Sequence, residues 1–185
     1  MEYKQLKINT KGRLWLSVKK CARLILEGAV LVIDPSIGSH SSMPGFAILR
    51  VGCLTNRGTI AVEPTGSTHD RLFAIGECLR RDFPTAWDVL VVEDIPDRRF
   101  SKSGRGSIRQ QVQLHRAVGA VHASVRCVHA ISVHPATWHA VVPPDYVKSD
   151  AGDAAAMAEV VRQYATAVIA RAQKKSRERK SRTKR

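Results

Sequence analysis

The stretch Ala29-Val30-Leu31-Val32-Ile33-Asp34-Pro35-Ser36-Ile37-Gly38-Ser39 decides how this chain is read. Its five apolar residues are mostly β-branched and too few for a helical stripe, which suits a strand covered on both faces. Asp34 closes the run, and the proline, serines and glycine behind it have the chemistry of a turn. A second run, Val89-Leu90-Val91-Val92, closes in the same way on Glu93. Carboxylates at the tips of buried strands are poorly explained as surface solvation. Two more acidic residues, Asp150 and Asp153, open a long alanine-rich amphipathic stretch.

Working outward, residues 30–34, 45–51 and 59–63 read as three strands of an antiparallel meander, with Asn56-Arg57-Gly58 as a tight turn between the second and third. Residues 68–82 read as a helix, with Leu72, Ile75, Gly76 and Leu79 at core spacing and Phe83-Pro84 as its stop. Residues 88–93 form a fourth strand. A basic, glycine-bearing loop follows, Pro96-Asp97-Arg98-Arg99-Phe100-Ser101-Lys102-Ser103-Gly104-Arg105-Gly106. Residues 107–124 read as a helix that turns Val112, His115, Val118 and Gly119 inward, and 127–133 as a fifth strand. The last helix spans 149–172, with Ser149 as N-cap, Asp150 near the positive end of the helix dipole, and Ala154, Met157, Val161, Ala165 and Val168 at three-four spacing. Crossovers after an initial meander give an α/β fold: a mixed five-stranded sheet flanked by helices. The expected division is an extension over 1–28, one domain over 29–172, and a disordered basic tail over 173–185.

Composition limits the partners. The 185 residues are 44% hydrophobic, enough for a buried core, and 30 Lys and Arg oppose 16 Asp and Glu for a net charge of +14. Residues 174–185 carry eight basic residues and one Glu; the remainder of the chain is as positive again, so the tail alone does not explain the charge. Nucleic acid is the polyanion that such a balance fits. The tail has no aromatic or aliphatic side chain to insert into a membrane, no apolar run approaches the roughly 20 residues that span a bilayer, and the amino terminus has no signal-peptide core. Cys21, Cys53, Cys78 and Cys127 are scattered without a CxxC pair, which points to reduced thiols in an intracellular, cytoplasmic protein.

The C-terminal ends of the first and fourth strands can lie side by side, with the start of the last helix across them. Asp34, Glu93, Asp150 and Asp153 then share one pocket, the last two on one helix face. Crowded carboxylates repel, and a divalent cation removes that cost; an oxygen-only set favours Mg²⁺ or Mn²⁺ over zinc. Two such ions, roughly 4 Å apart, can activate a water and stabilise the leaving oxygen of a phosphodiester. Arg98, Arg99, Lys102 and Arg105 follow the strand bearing Glu93 and suit a grip on a nucleic-acid backbone, with Phe100 placed to stack on a base. Lys174, Lys175, Arg177, Arg179 and Lys180 extend that grip into the tail. His115, His122, His129, His134 and His139 have no zinc spacing, though His134 and His139 are the nearest to the acidic helix start. No GxSxG is present, and the chain is too short for a two-domain phosphate-loop ATPase.

The order Val-Ile-Asp34-Pro-Ser-Ile-Gly38, then Val-Val-Glu93, then Asp150-Ala-Gly-Asp153-Ala-Ala-Ala-Met-Ala resembles the RuvC branch of the RNase H-like nucleases, the Holliday-junction resolvases. The turn Val133-His134-Pro135-Ala136-Thr137-Trp138 also sits where related members carry a proline before the last helix. The resemblance covers about residues 29–172. It implies that Asp34, Glu93, Asp150 and Asp153 are the catalytic, metal-binding carboxylates, using two Mg²⁺ or Mn²⁺ ions. It also implies a homodimer that nicks branched DNA symmetrically to 5′ phosphates and 3′ hydroxyls, in DNA recombination and repair. Ser36 replaces the usual glycine of Asp-Pro-Gly, and cellular RuvC is matched only at the motifs, so a divergent phage or plasmid relative, working in a host cytoplasm if viral, is the expected type. The alternatives are a non-catalytic nucleic-acid binder on the same scaffold, or an RNase H-type nuclease acting on hybrids or flaps. Retained acidic residues weigh against a pure binder, which would gain affinity by losing them.

Overall fold

The computed structural model describes residues 18–35, 43–62, 67–94, 108–139, 146 and 148–182. Residues 36–42, in the turn after Asp34, and the basic loop with Arg98, Arg99, Phe100, Lys102 and Arg105 lie outside the described residues. Elements follow in the order α1 (Val18–Glu27), β1 (Ala29–Asp34), β2 (Gly45–Arg50), β3 (Cys53–Thr59), α2 (Thr68–Asp82), β4 (Trp87–Glu93), α3 (Ile108–Ser124), β5 (Cys127–Val133), α4 (Pro135–His139) and α5 (Asp150–Arg182). The five strands form one sheet in the order β3-β2-β1-β4-β5. The β1–β2 and β2–β3 pairs are antiparallel, whereas β1–β4 and β4–β5 are parallel. This is the mixed sheet expected from the order of apolar runs.

The central strands are covered on both faces, as their unbroken apolar runs require. Val30 and Val32 of β1 and Val89 and Val91 of β4 face α1, α4 and α5, where Ala154, Met157, Val161 and Ala165 complete the layer. Leu31, Ile33, Leu90 and Val92 face α2 and α3 with Ile75, Leu79 and Val121. Side chains alternate along a strand, so Asp34 and Glu93 point to the same face as Val32 and Val91, the face covered by α5. Asp88 ties the strand starts together: its Oδ2 accepts the Ala29 N–H at 2.7 Å.

Four expectations are corrected. The β2–β3 turn is Val51-Gly52, both at positive φ (50° and 69°), and Asn56-Arg57-Gly58 lies inside β3. That strand is an exposed edge, so polarity made it resemble a turn, while a valine in the left-handed region disguised the real one. Gly58 has its own reason: a Cβ there would come 2.9 Å from the ring of Phe46. Among the described side chains of α3 the buried positions are Ala117, Val121 and Ser124, and Val118 packs partly buried against the core as expected, but Val112 is 41% exposed, and His115 and Gly119 are exposed. Small apolar residues lie on both sides of that helix, and docking on the sheet, beside α2, selects between them.

Both ends of the chain also depart from expectation. Part of the supposed extension, α1, belongs to the core: Cys21, Ala22 and Ile25 are buried in the layer it shares with α5. Residues 173–182 of the supposed disordered tail are helical, since α5 runs unbroken to Arg182. Its first half is held against the sheet, so the unfavourable nucleation step is already supplied and each added residue costs little. No Gly or Pro follows Gly152, and cations in the last turns complement the helix dipole. Among the described residues no helix is long and apolar enough to cross a membrane.

Candidate active site

The acidic residues gather at one edge of the sheet because of register. Ile33 pairs with Val92 across the parallel β1–β4 ladder, so Asp34 and Glu93, one residue further on, stand at adjacent strand ends on one face. Asp34 is buried, at 7% exposure. Its partner across the antiparallel ladder is Gly45. There the helix start closes over the sheet: a Cβ on Gly45 would lie 1.8 Å from the Asp150 carbonyl oxygen. Only a residue without a side chain permits that approach, and the alanines of α5 let the helix settle this low. Asp150 is fixed from the same direction, its Oδ2 accepting the Met43 N–H at 3.1 Å. Ser149 caps α5, its Oγ accepting the Gly152 N–H at 3.0 Å.

Glu93 and Asp153 are each held by a neighbour that the sequence did not single out for the purpose. The buried Trp138 of α4 donates its indole N–H to Glu93 Oε1 at 3.1 Å. Tyr146 donates its hydroxyl to Asp153 Oδ1. His139 stacks on Trp138, with ring centroids 3.8 Å apart and planes at 25°. Trp138 is visible in the sequence as part of a turn. Tyr146 carries no signal beyond its place just before the acidic helix start.

Electrostatics tie these groups into one cluster. Burial pushes the Glu93 carboxyl above the ordinary range, and the charge of Asp153 raises it further; the Trp138 hydrogen bond and the nearby His139 and His134 pull it back down. Burial also raises Asp153, against the opposing influence of His139. Two carboxylates that burial pushes toward protonation, Glu93 also repelled by Asp153, are under the stress that a cation relieves. The set offers oxygen donors only, which fits a hard divalent ion. Among the described residues, however, no three His, Cys, Asp or Glu side chains are drawn together closely enough to hold a metal. All four acidic residues thus lie at one end of the sheet, and Glu93, Asp150 and Asp153 each accept a protein hydrogen bond there.

Lys174, Lys175, Arg177, Arg179 and Lys180 lie far from this pocket, exposed along the last third of α5.

No family model matches this chain, and no curated protein matches it. Among solved structures, T. thermophilus RuvC in complex with Holliday junction substrate aligns with a TM-score of 0.50 at 15% identity, over 76% of this chain and 95% of that one. A second Thermus thermophilus RuvC structure aligns at 0.45 and 15% identity, over 77% and 96% of the two chains. With the strand order and mixed pairing above, the first of these likenesses shows that the chain has the RuvC-like variant of the RNase H-like fold.

Proposed function

We propose that this chain is a metal-dependent, structure-selective endodeoxyribonuclease that cuts Holliday junctions or related branched DNA. The observation that carries the reading is the convergence of Asp34, Glu93, Asp150 and Asp153 at one end of the sheet, beneath the start of α5, in a chain of net charge +14. The structural neighbour was solved with a Holliday junction, which supports branched DNA as the substrate class. The residues that would hold Mg²⁺ or Mn²⁺ are those four carboxylates; when bound, such ions supply Lewis acidity and an activated water for phosphodiester hydrolysis. The chain's own part is positioning. Trp138 orients Glu93 and favours its ionised form, Tyr146 fixes one oxygen of Asp153, and the amino-terminal dipole of α5 favours charge on Asp150 and Asp153. The paired nicks of a resolvase need two such sites, hence a homodimer. In this reading Arg98, Arg99, Lys102 and Arg105 hold the scissile backbone.

The test is a labelled synthetic four-way junction beside its matching linear duplex, with Mg²⁺, with Mn²⁺ and with EDTA. Paired nicks on the junction alone, absent in EDTA, are expected. Tight binding without cutting under either metal would instead establish a non-catalytic binder on the same scaffold. That second reading draws on one observation: carboxylates at this end of the sheet are hydrogen-bonded to protein, and among the described residues no three stand close enough together to hold a metal.

A further inference from the structure

Outside the acidic pocket, the strongest charge feature among the described residues is the far end of α5. Packing against the core ends at Val168 and Ile169, which are partly buried. Beyond them Arg171, Lys174, Lys175, Arg177, Arg179 and Lys180 are all exposed, with Glu178 as the one acidic residue among them. This part of the helix is polar all round. It has no apolar stripe with which to enter a groove or a membrane, so the partner it complements is a polyanion reached through charge.

We propose that the last third of α5 is a rigid phosphate clamp that grips a duplex DNA arm one helical turn from the acidic pocket. The inference rests on the nuclease reading for the meaning of that pocket and adds the clamp and its distance. One unbroken helix carries both sites: Asp153 in its first turn, and a cationic cluster centred near Arg177. At 1.5 Å per residue, 24 residues of helix separate them by about 36 Å. One turn of B-DNA is about 34–36 Å, or 10–10.5 base pairs. Phosphates a full turn apart face the same side of a duplex, so a straight rod reaches both without wrapping. A disordered tail would touch phosphates anywhere within its reach, but a helix sets the distance and loses little ordering entropy on binding.

About three of the six cations can face one duplex from a helix that displays charge on all sides. Releasing that many counterions steepens the logarithmic salt dependence by about 2.7, so raising salt from about 50 to 200 mM costs about 40-fold more affinity with the clamp than without it.

The test uses the full chain carrying Glu93→Gln in EDTA, with junctions whose arms are about 6, 10, 14 and 20 base pairs, bracketing one turn. Affinity is expected to step up between the shorter and longer arms and then level off. Hydroxyl-radical protection should form a patch about 10 base pairs from the branch. Joint substitution of Lys174, Lys175, Arg177, Arg179 and Lys180 by Gln preserves helix propensity. It should remove the step, the patch and the extra salt dependence. Ala172→Pro keeps every charge but breaks the rod; it should blur the step and spread the patch while retaining the salt slope. An unchanged step and slope in the Gln variant overturns the clamp, as does loss of binding to phosphatidylserine vesicles but not to DNA. Wild-type cutting in Mg²⁺ is scored separately: a chain that shows the patch but never nicks keeps the clamp and loses the nuclease reading.

Discussion

Gly45→Ala would place a methyl group 1.8 Å from the Asp150 carbonyl oxygen and 2.2 Å from its carbon. Both are backbone atoms, so no rotamer change relieves the contact. Reaching even 3.0 Å, below which real Cβ atoms are essentially not found, requires β2 and the start of α5 to separate by about 1.2 Å. In an open strand the same substitution would stabilise by about 0.4–1 kcal/mol through the unfolded chain. Overpacking of this kind costs about 1–3 kcal/mol, so destabilisation wins. A net loss of about 1–2 kcal/mol lowers the melting temperature by about 2–8 °C in a chain of this size. If the four carboxylates are the proposed nuclease site, the functional cost is larger. The movement lifts Asp150 and Asp153 away from Asp34 and Glu93, and a displacement of about 1 Å at a reacting centre costs about 100-fold in rate. Thermal unfolding and junction nicking in Mg²⁺ measure the two effects. A variant that melts and cuts like the wild type refutes the close seating of α5 on β2. One that melts early but cuts at the wild-type rate refutes the role of that seating in the site.

Asp34→Asn or Glu93→Gln should abolish cutting while binding to branched DNA in a gel-shift assay persists; a fully active variant removes that carboxylate from the chemistry. Trp138→Phe deletes the indole donor that holds the Glu93 carboxyl down. The acid limb of the pH–rate profile should therefore move to higher pH, and an unmoved limb would sever Trp138 from Glu93. Because the folded-state Glu93 is raised, the stability it contributes is full below the unfolded carboxylate range and lost as pH rises through the raised value. Metal-free Glu93→Gln should thus melt above the wild type at neutral pH, with the gap closing on acidification; a gap constant with pH would contradict the burial cause.

Much of this molecule is determined locally. The runs at β1 and β4 can only be buried strands, and the bounds of α2 and β5 follow from caps, stops and apolar spacing. Asp34, Glu93, Asp150 and Asp153 are legible as candidates because a carboxylate at the end of an apolar run stands out against its neighbours. Edge strand β3 was not legible, since its exposed side chains place no hydrophobic constraint on the sequence. The inward face of α3 was ambiguous for a related reason: apolar residues of similar size lie on both of its sides.

What brings the four carboxylates together belongs to tertiary structure alone. The β1–β4 register sets Asp34 beside Glu93, and the glycine at position 45 lets the helix start descend over them. Register and helix docking are settled by contacts between segments up to about a hundred residues apart, which no local pattern encodes. The same holds for Trp138 and Tyr146, whose polar atoms acquire meaning only when β4 and α5 arrive beside them. The helical tail completes the contrast. Composition alone reads it as a disordered polycation, and only the packed first half of α5, by supplying the nucleus, makes it a rod.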